Sequence, residues 1–291
     1  MSTTDAYTQL LDATISHLES LKNRGARFVS VSPENLAALT QATPRRTAPA
    51  APAPVPSAPI ARPSVAPISA PAPAPALVAT APVSEAKAAA FAELRARALV
   101  CVKCPNLASS RKNVVFGVGS PDASLMFVGE APGADEDQQG EPFVGKAGQL
   151  LTKIIQTMGF SRSSVYIANI LKCRPDTPGQ SAGNRKPTPE EMQTCIPYLH
   201  EQIDLIQPKV IVALGATAVE GLLGKTIGIT KLRGQWRTYR NIPLMPTYHP
   251  AYLLRNQALS EKRRVWEDML AVLEKLGAPV SEKQRGFFLK A

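Results

Sequence analysis

Ser124-Leu-Met-Phe-Val-Gly129-Glu-Ala-Pro-Gly133 is an apolar run closed by a glycine and followed at once by a polar, glycine-rich loop. A short apolar run bounded by turn signals reads as a buried strand. The pattern recurs outward from it. Lys146 to Met158 reads as a helix, and Val165 to Ile170 as a second strand. Thr188-Pro189-Glu190-Glu191 opens a helix that runs to Ile206, with Thr as cap and Pro at the first helical position. Lys209 to Leu214 is a third strand and Gly215 to Leu223 a helix. Ile242 to Thr247 is a fourth strand, and Ala251 to Leu276 is mostly helical. Residues 85–100 supply a helix in front. Strands alternating with helices predict an α/β domain over 85–291, a three-layer α/β/α sandwich around a central four-stranded parallel sheet. Ligands of such sheets sit outside the carboxyl ends of the strands. Those ends carry Gly129-Glu130, Asn169, Gly215 and His249.

The N-terminal third is different. From Gln41 to Ser84 the chain holds 12 Pro and 14 Ala among 44 residues. Such a segment buries too little surface to offset its ordering entropy, so 41–84 is expected to be a disordered, polyproline-like linker. Before it, Tyr7, Leu10, Leu11, Ile15, Leu18 and Leu21 follow helical spacing, and Ser32-Pro33-Glu34 opens a second short helix. Residues 1–40 are expected to form a short helical segment, read equally as a partner-docking element or as a leftover helical hairpin. No apolar run approaches the roughly 20 residues that span a bilayer, and Met1 to Tyr7 lack the features of a signal peptide. The expectation is a soluble cytoplasmic monomer with no membrane partner.

The net charge is +10 over 291 residues, which favours a polyanionic partner, nucleic acid first. Residues 225–264 carry nine basic residues and one acidic residue, an excess equal to that of the whole stretch 91–291. The window flanks His249-Pro250 and includes Arg255, a candidate phosphate contact. Four cysteines are too few for a disulfide scaffold. Cys101-x2-Cys104 followed by the single Cys173 and Cys195 suits a cluster held by four thiolates, although spacing alone leaves zinc or no metal open. The loop after the first strand places Glu130, Asp135, Glu136 and Asp137 within eight residues. It matches neither a Walker A loop nor a Gly-x-Gly-x-x-Gly fingerprint.

Several ordered motifs together resemble those of the family 4 uracil-DNA glycosylases. They are Gly129-Glu-Ala-Pro-Gly133 with Glu136-Asp137 and Pro142-Phe143-Val-Gly145; Val165-Tyr-Ile-Ala-Asn169 through Cys173-Arg-Pro; Cys195-x-Pro-Tyr198; Pro208-Lys-Val-Ile-Val-Ala-Leu-Gly-Ala216; and His249-Pro-x-Tyr-Leu-Leu-Arg255. The likeness covers about residues 90–275. It implies a uracil-DNA glycosylase-like fold and a [4Fe–4S] cluster on Cys101, Cys104, Cys173 and Cys195. It also implies hydrolysis of the N-glycosidic bond of uracil in single- or double-stranded DNA, the first step of base excision repair. The stretch between Cys173 and Cys195 is longer than usual for that family, through an inserted Asp176–Lys186 loop.

The residue types fit that chemistry. A glycosylase reads its base outside the stack. Phe143 offers a ring for stacking, and Asn169 carries both an acceptor and donors for uracil N3–H and O4. Gly129 and Ala131 line the base site by the same resemblance. His249 is placed to stabilise the uracil anion at O2. Glu130 and Glu136 lead as carboxylates that orient water and stabilise the sugar cation, with Asp137 third. Leu253 or Leu254 could wedge into the duplex, or serve equally as helix core packing. The competing reading is a relative that binds or covalently traps uracil-DNA with weak turnover. Such a relative carries a Gln in the first motif and a His-containing basic loop. Here Ala131 stands in the first motif, and no His lies between Cys173 and Cys195. A replication or repair protein would be the partner of the N-terminal segment.

Overall fold

The computed structural model describes residues 85–175, 185–224 and 228–289. All belong to Pro73–Ala291, the second of two units in the chain. The expected helical segment 1–40, the linker 41–84 and all but the end of the Asp176–Lys186 insertion lie outside the described residues.

The strands are β1 (Val118–Gly119), β2 (Leu125–Gly129), β3 (Tyr166–Asn169), β4 (Val210–Leu214), β5 (Arg237–Tyr239) and β6 (Ile242–Thr247). The helices are α1 (Glu85–Leu99), α2 (Pro105–Ser110), α3 (Ala134–Gln139), α4 (Lys146–Thr157) and α5 (Pro189–Ile206). They continue with α6 (Ala216–Leu223), α7 (Ile229–Leu232), α8 (Pro250–Arg255), α9 (Leu259–Leu276) and α10 (Glu282–Gly286). One sheet has the order β1-β3-β2-β4-β6-β5. Its four inner strands are parallel, as expected. Two short antiparallel edges, β1 and β5, extend it to six and were not anticipated. Neither carries an alternating apolar face, so neither leaves a period-two signal.

The inner strands are buried on both faces, and alternation sorts their side chains between two core layers. Met126 and Val128 of β2 face a layer holding Leu94 of α1, Leu199 and Ile203 of α5 and Val219 of α6. Leu125 and Phe127 face the other, with Leu151 and Ile155 of α4 and Trp266, Met269 and Leu273 of α9. Each such side chain contributes about 1.5–3 kcal/mol by leaving water. β6 tolerates Pro246 because β5 pairs only as far as Leu244, so one side of the strand needs no donor there.

The caps follow the sequence reading. Thr188 accepts the Glu191 N–H while Glu191 accepts the Thr188 N–H, a reciprocal capping box for α5. The expected helix from 251 is broken: α8 ends at Arg255, Asn256 is extended, and α9 starts at Leu259. α4 follows β2 onto one face, whereas α6 follows β4 onto the other. β2 and β4 are neighbours, so a crevice opens between their carboxyl ends. Among the described residues no helix is long and apolar enough to cross a membrane.

Candidate active site

The crevice is lined by residues from every inner strand end. Gly129 closes β2 and pairs with Asn169, which closes β3. A Cβ on Gly129 would collide with Asn169 Oδ1 and come within 2.5 Å of Phe143 Cζ. Glycine is what allows those two side chains to meet over the strand end. Phe143 sits in the left-handed region at φ 56°, strained for an aromatic residue. Two contacts hold it there. Gly148 lacks the Cβ that would strike the Phe143 carbonyl. Arg162 donates to Phe143 O at 3.1 Å and to Pro142 O at 2.7 Å. The Phe143 ring stacks on His249, centroids 5.6 Å apart. Gly129, Phe143, Asn169 and His249 are thus brought together.

Asn169 is buried, and among the described residues its Oδ1 has no hydrogen-bond partner. An unpaired buried carbonyl costs about 1–3 kcal/mol, so a missing donor is the expected complement. His249 caps α8, its Nδ1 accepting the Ala251 N–H at 3.1 Å. Nδ1 is therefore the acceptor, and Nε2 carries the proton. Burial, reinforced by the Arg255 charge and opposed by Glu136, pushes the imidazole down to about 4. At neutral pH the ring is an uncharged donor through Nε2.

The carboxylates separate by their partners. Glu130 is half-buried and its carboxylate bonds to no described residue, while its backbone O accepts Leu171 N–H. Glu136 accepts three backbone N–H groups, from Gly133, Val144 and Gly145 at 3.0–3.1 Å. It ties the first loop to the segment bearing Phe143, and its charge reaches His249. Asp137 is buried and accepts the Lys112 and Asn113 N–H groups. Its carboxylate holds another loop rather than standing free for water. Ala131, two residues on from Gly129, is partly buried and packs against the α1/α5 core layer. Leu253 is buried, so of the two wedge candidates only Leu254 is exposed. Arg255 is exposed with no side-chain hydrogen bond to a described residue.

The cysteines lie on three segments, and none of the four is in a disulfide. Burial raises Cys104 and Cys173, and takes Cys195 up to about 12. The thiols act on one another: Cys104 responds to Cys173 and Cys101, and Cys195 to Cys173 and Cys104. Donors already point at the sulfurs. Lys172 N–H reaches Cys195 Sγ at 3.2 Å and Arg111 reaches Cys173 Sγ at 3.1 Å. Such bonds suit ligating thiolates. Among the described residues no three His, Cys, Asp or Glu side chains gather tightly enough to hold one metal ion. A single zinc would draw its sulfurs to about 3.8 Å from each other, given Zn–S bonds of about 2.3 Å. Four thiols that act on one another, with N–H donors aimed at two of the sulfurs, have the donor chemistry of a four-iron cluster.

Sequence reasoning overlooked Arg162, Lys172 and Gln202, whose roles depend on which carbonyls they meet across the fold. No motif could have found Arg162.

Residues 116–270 match the family model described as the uracil DNA glycosylase superfamily. A type-4 uracil-DNA glycosylase of Thermotoga maritima is 47% identical, over 58% of this chain and 85% of the relative. One from Sulfurisphaera tokodaii is 39% identical, over 68% of this chain and 89% of the relative. A type-5 uracil-DNA glycosylase of Thermus thermophilus is 29% identical, over 60% of this chain and 90% of the relative.

Proposed function

The chain belongs to the uracil-DNA glycosylase superfamily as a type-4 member, and on that premise we propose how its residues release uracil from DNA. The reaction is hydrolysis of the C1′–N1 bond, leaving an abasic site for repair. The unpaired Asn169 Oδ1 beside the Phe143 ring carries the reading. It offers an acceptor for uracil N3–H, and the amide N–H₂ can donate to O4. Cytosine presents the opposite pattern on that edge, so the same amide discriminates against it. Phe143 stacks the extruded base. As C1′–N1 breaks, the bonding pair stays on uracil, and the anion spreads to O2. The His249 Nε2–H donates there, worth more in a site shielded from water. Positive charge builds on the sugar, and the fixed Glu136 carboxylate favours it. Glu130 orients water toward C1′ and takes its proton as the new C–O bond forms. Arg255 meets a flanking phosphate and Leu254 enters the gap in the stack.

Cys101, Cys104, Cys173 and Cys195 would hold a [4Fe–4S] cluster, which would staple three distant chain segments together. No step of the hydrolysis passes through it.

The test is a uracil-containing oligonucleotide, single- and double-stranded, incubated with the protein, treated with alkali and resolved on a gel. Cleavage at the uracil position is expected. An intact strand overturns the reading, and a denaturant-resistant adduct would show covalent trapping instead. Asn169→Ala and His249→Ala should each slow release by about 100-fold or more, as loss of one oxyanion donor does.

A further inference from the structure

Lys172 is a lysine with 2% exposure, and no described carboxylate pairs with it. Buried cations are ordinarily paired, so this one needs an account. Its two ends point in two directions. The backbone N–H donates to Cys195 Sγ at 3.2 Å. The side chain turns back three residues, and Nζ donates to the Asn169 carbonyl at 3.0 Å. Nζ also donates to Gln202 Oε1 at 2.7 Å. Gln202 is itself fixed, donating to Phe116 O and Tyr166 Oη at 2.9 Å each.

We propose that Lys172 is a positioning residue that ties the cysteine set to the base-reading Asn169. This rests on the reading of Asn169 as the uracil reader and of the cysteines as cluster ligands. The Asn169 Oδ1 has no partner of its own, so its orientation is inherited from the backbone. The Asn169 carbonyl is held by Lys172, whose peptide N–H is held by Cys195. Thiolates ligating iron carry negative charge, and they supply the anion that the buried ammonium otherwise lacks. The cysteine set and the base reader therefore share one residue, bonded to the first through its backbone and to the second through its side chain, so the cluster segment holds the amide ready for uracil while staying outside the chemistry.

The experiment uses the full chain and two near-isosteric variants, Lys172→Met and Gln202→Met. Iron and sulfide content is measured for each. Affinity is measured for two strands, one with 2′-fluorinated deoxyuridine, which resists cleavage, and one with a tetrahydrofuran abasic analogue. Lys172→Met is expected to keep its iron and lose about tenfold or more in affinity for the uracil strand, with abasic affinity unchanged. Gln202→Met should move the same way by less. Unchanged uracil affinity with iron retained overturns the proposal. So does a parallel fall in both affinities, which would mark a merely structural role. If Lys172→Met sheds iron, Gln202→Met decides. Iron loss in both variants means that Lys172 serves the cysteines alone, and the tie is overturned. An unaltered chain purified anaerobically without iron or sulfide defeats the cluster reading by itself.

Discussion

At His249 a single backbone hydrogen bond decides the tautomer. Ala251 N–H occupies Nδ1, and burial beside Phe143 keeps the ring neutral. An NMR titration of the imidazoles should find His249 protonating near pH 4, against an ordinary value of 6.5. The sign follows from linkage. The unfolded chain takes up this proton more readily, so the group's contribution to stability is complete above about pH 6.5 and lost as pH falls toward 4. A midpoint near 6.5 would mean that burial leaves the ring unshifted, and a midpoint above about 8 would mean a charged ring at neutral pH and remove the neutral-donor mechanism. The identities of Phe143, Asn169 and His249 were legible in the motifs. The tautomer was not, because it depends on where one N–H points. Nor was the division of labour among Glu130, Glu136 and Asp137. Four clustered carboxylates look alike in a sequence, and only their partners separate a free group from two loop ties.

Among the elements, β6 bears the most consequence because it delivers His249. Its last residue, Thr247, donates through Oγ1 to buried Asp268 of α9 at 2.6 Å. Arg233, next to α7, donates to the same carboxylate. Three elements therefore meet on one side chain just before His249. Asp268→Ala leaves Arg233 and Thr247 without their partner and should cost about 3–5 kcal/mol in urea unfolding. A loss under about 1 kcal/mol would mean the triad is dispensable. The long elements were readable from periodicity and caps: α5 opens and closes where Thr188 and Ile206 predicted. The edge strands were not, since β1 has two residues and β5 is largely exposed. The break at Asn256 also escaped notice, because the apolar spacing continues on both sides of it.

For the whole molecule, the excess positive charge divides once partners are known. Of the nine basic residues between 225 and 264, Arg233, Arg240, Arg263 and Arg264 are engaged in ion pairs within the fold. Lys231, Arg255 and Lys262 have no side-chain hydrogen bond to a described residue. Counting charges in the sequence therefore overstates what is available to a phosphate backbone. Anisotropy titrations at several salt concentrations should show Arg255→Ala reducing the slope of log affinity against log salt by about one. Arg240→Ala, whose guanidinium faces Asp204, should leave the slope unchanged. Equal effects would mean that internal pairing does not restrain these side chains. Fold class and the four parallel strands of the core were open to sequence reasoning because buried strands and amphipathic helices advertise themselves, whereas the order of the strands came only from the structure. Internal pairing of surface charge advertises itself only where it is local, as for Arg263 with Glu267 and Arg264 with Glu261; the pairs of Arg233 with Asp268 and Arg240 with Asp204 join residues 35 and 36 positions apart and leave no such signal.

The base of the insertion after Cys173 is closed. Arg185 N–H donates to Pro175 O at 3.3 Å, the Arg185 guanidinium grips Glu191 of the α5 capping box, and Lys186 pairs with Glu220. Whatever length of chain lies between those two residues, its ends are already fastened at the points where it leaves and rejoins the domain. Lengthening a loop whose ends are fixed costs little. That makes the excursion a natural splice site for a fluorophore-bearing or affinity peptide, a built-in handle from which repair could be watched on single DNA molecules.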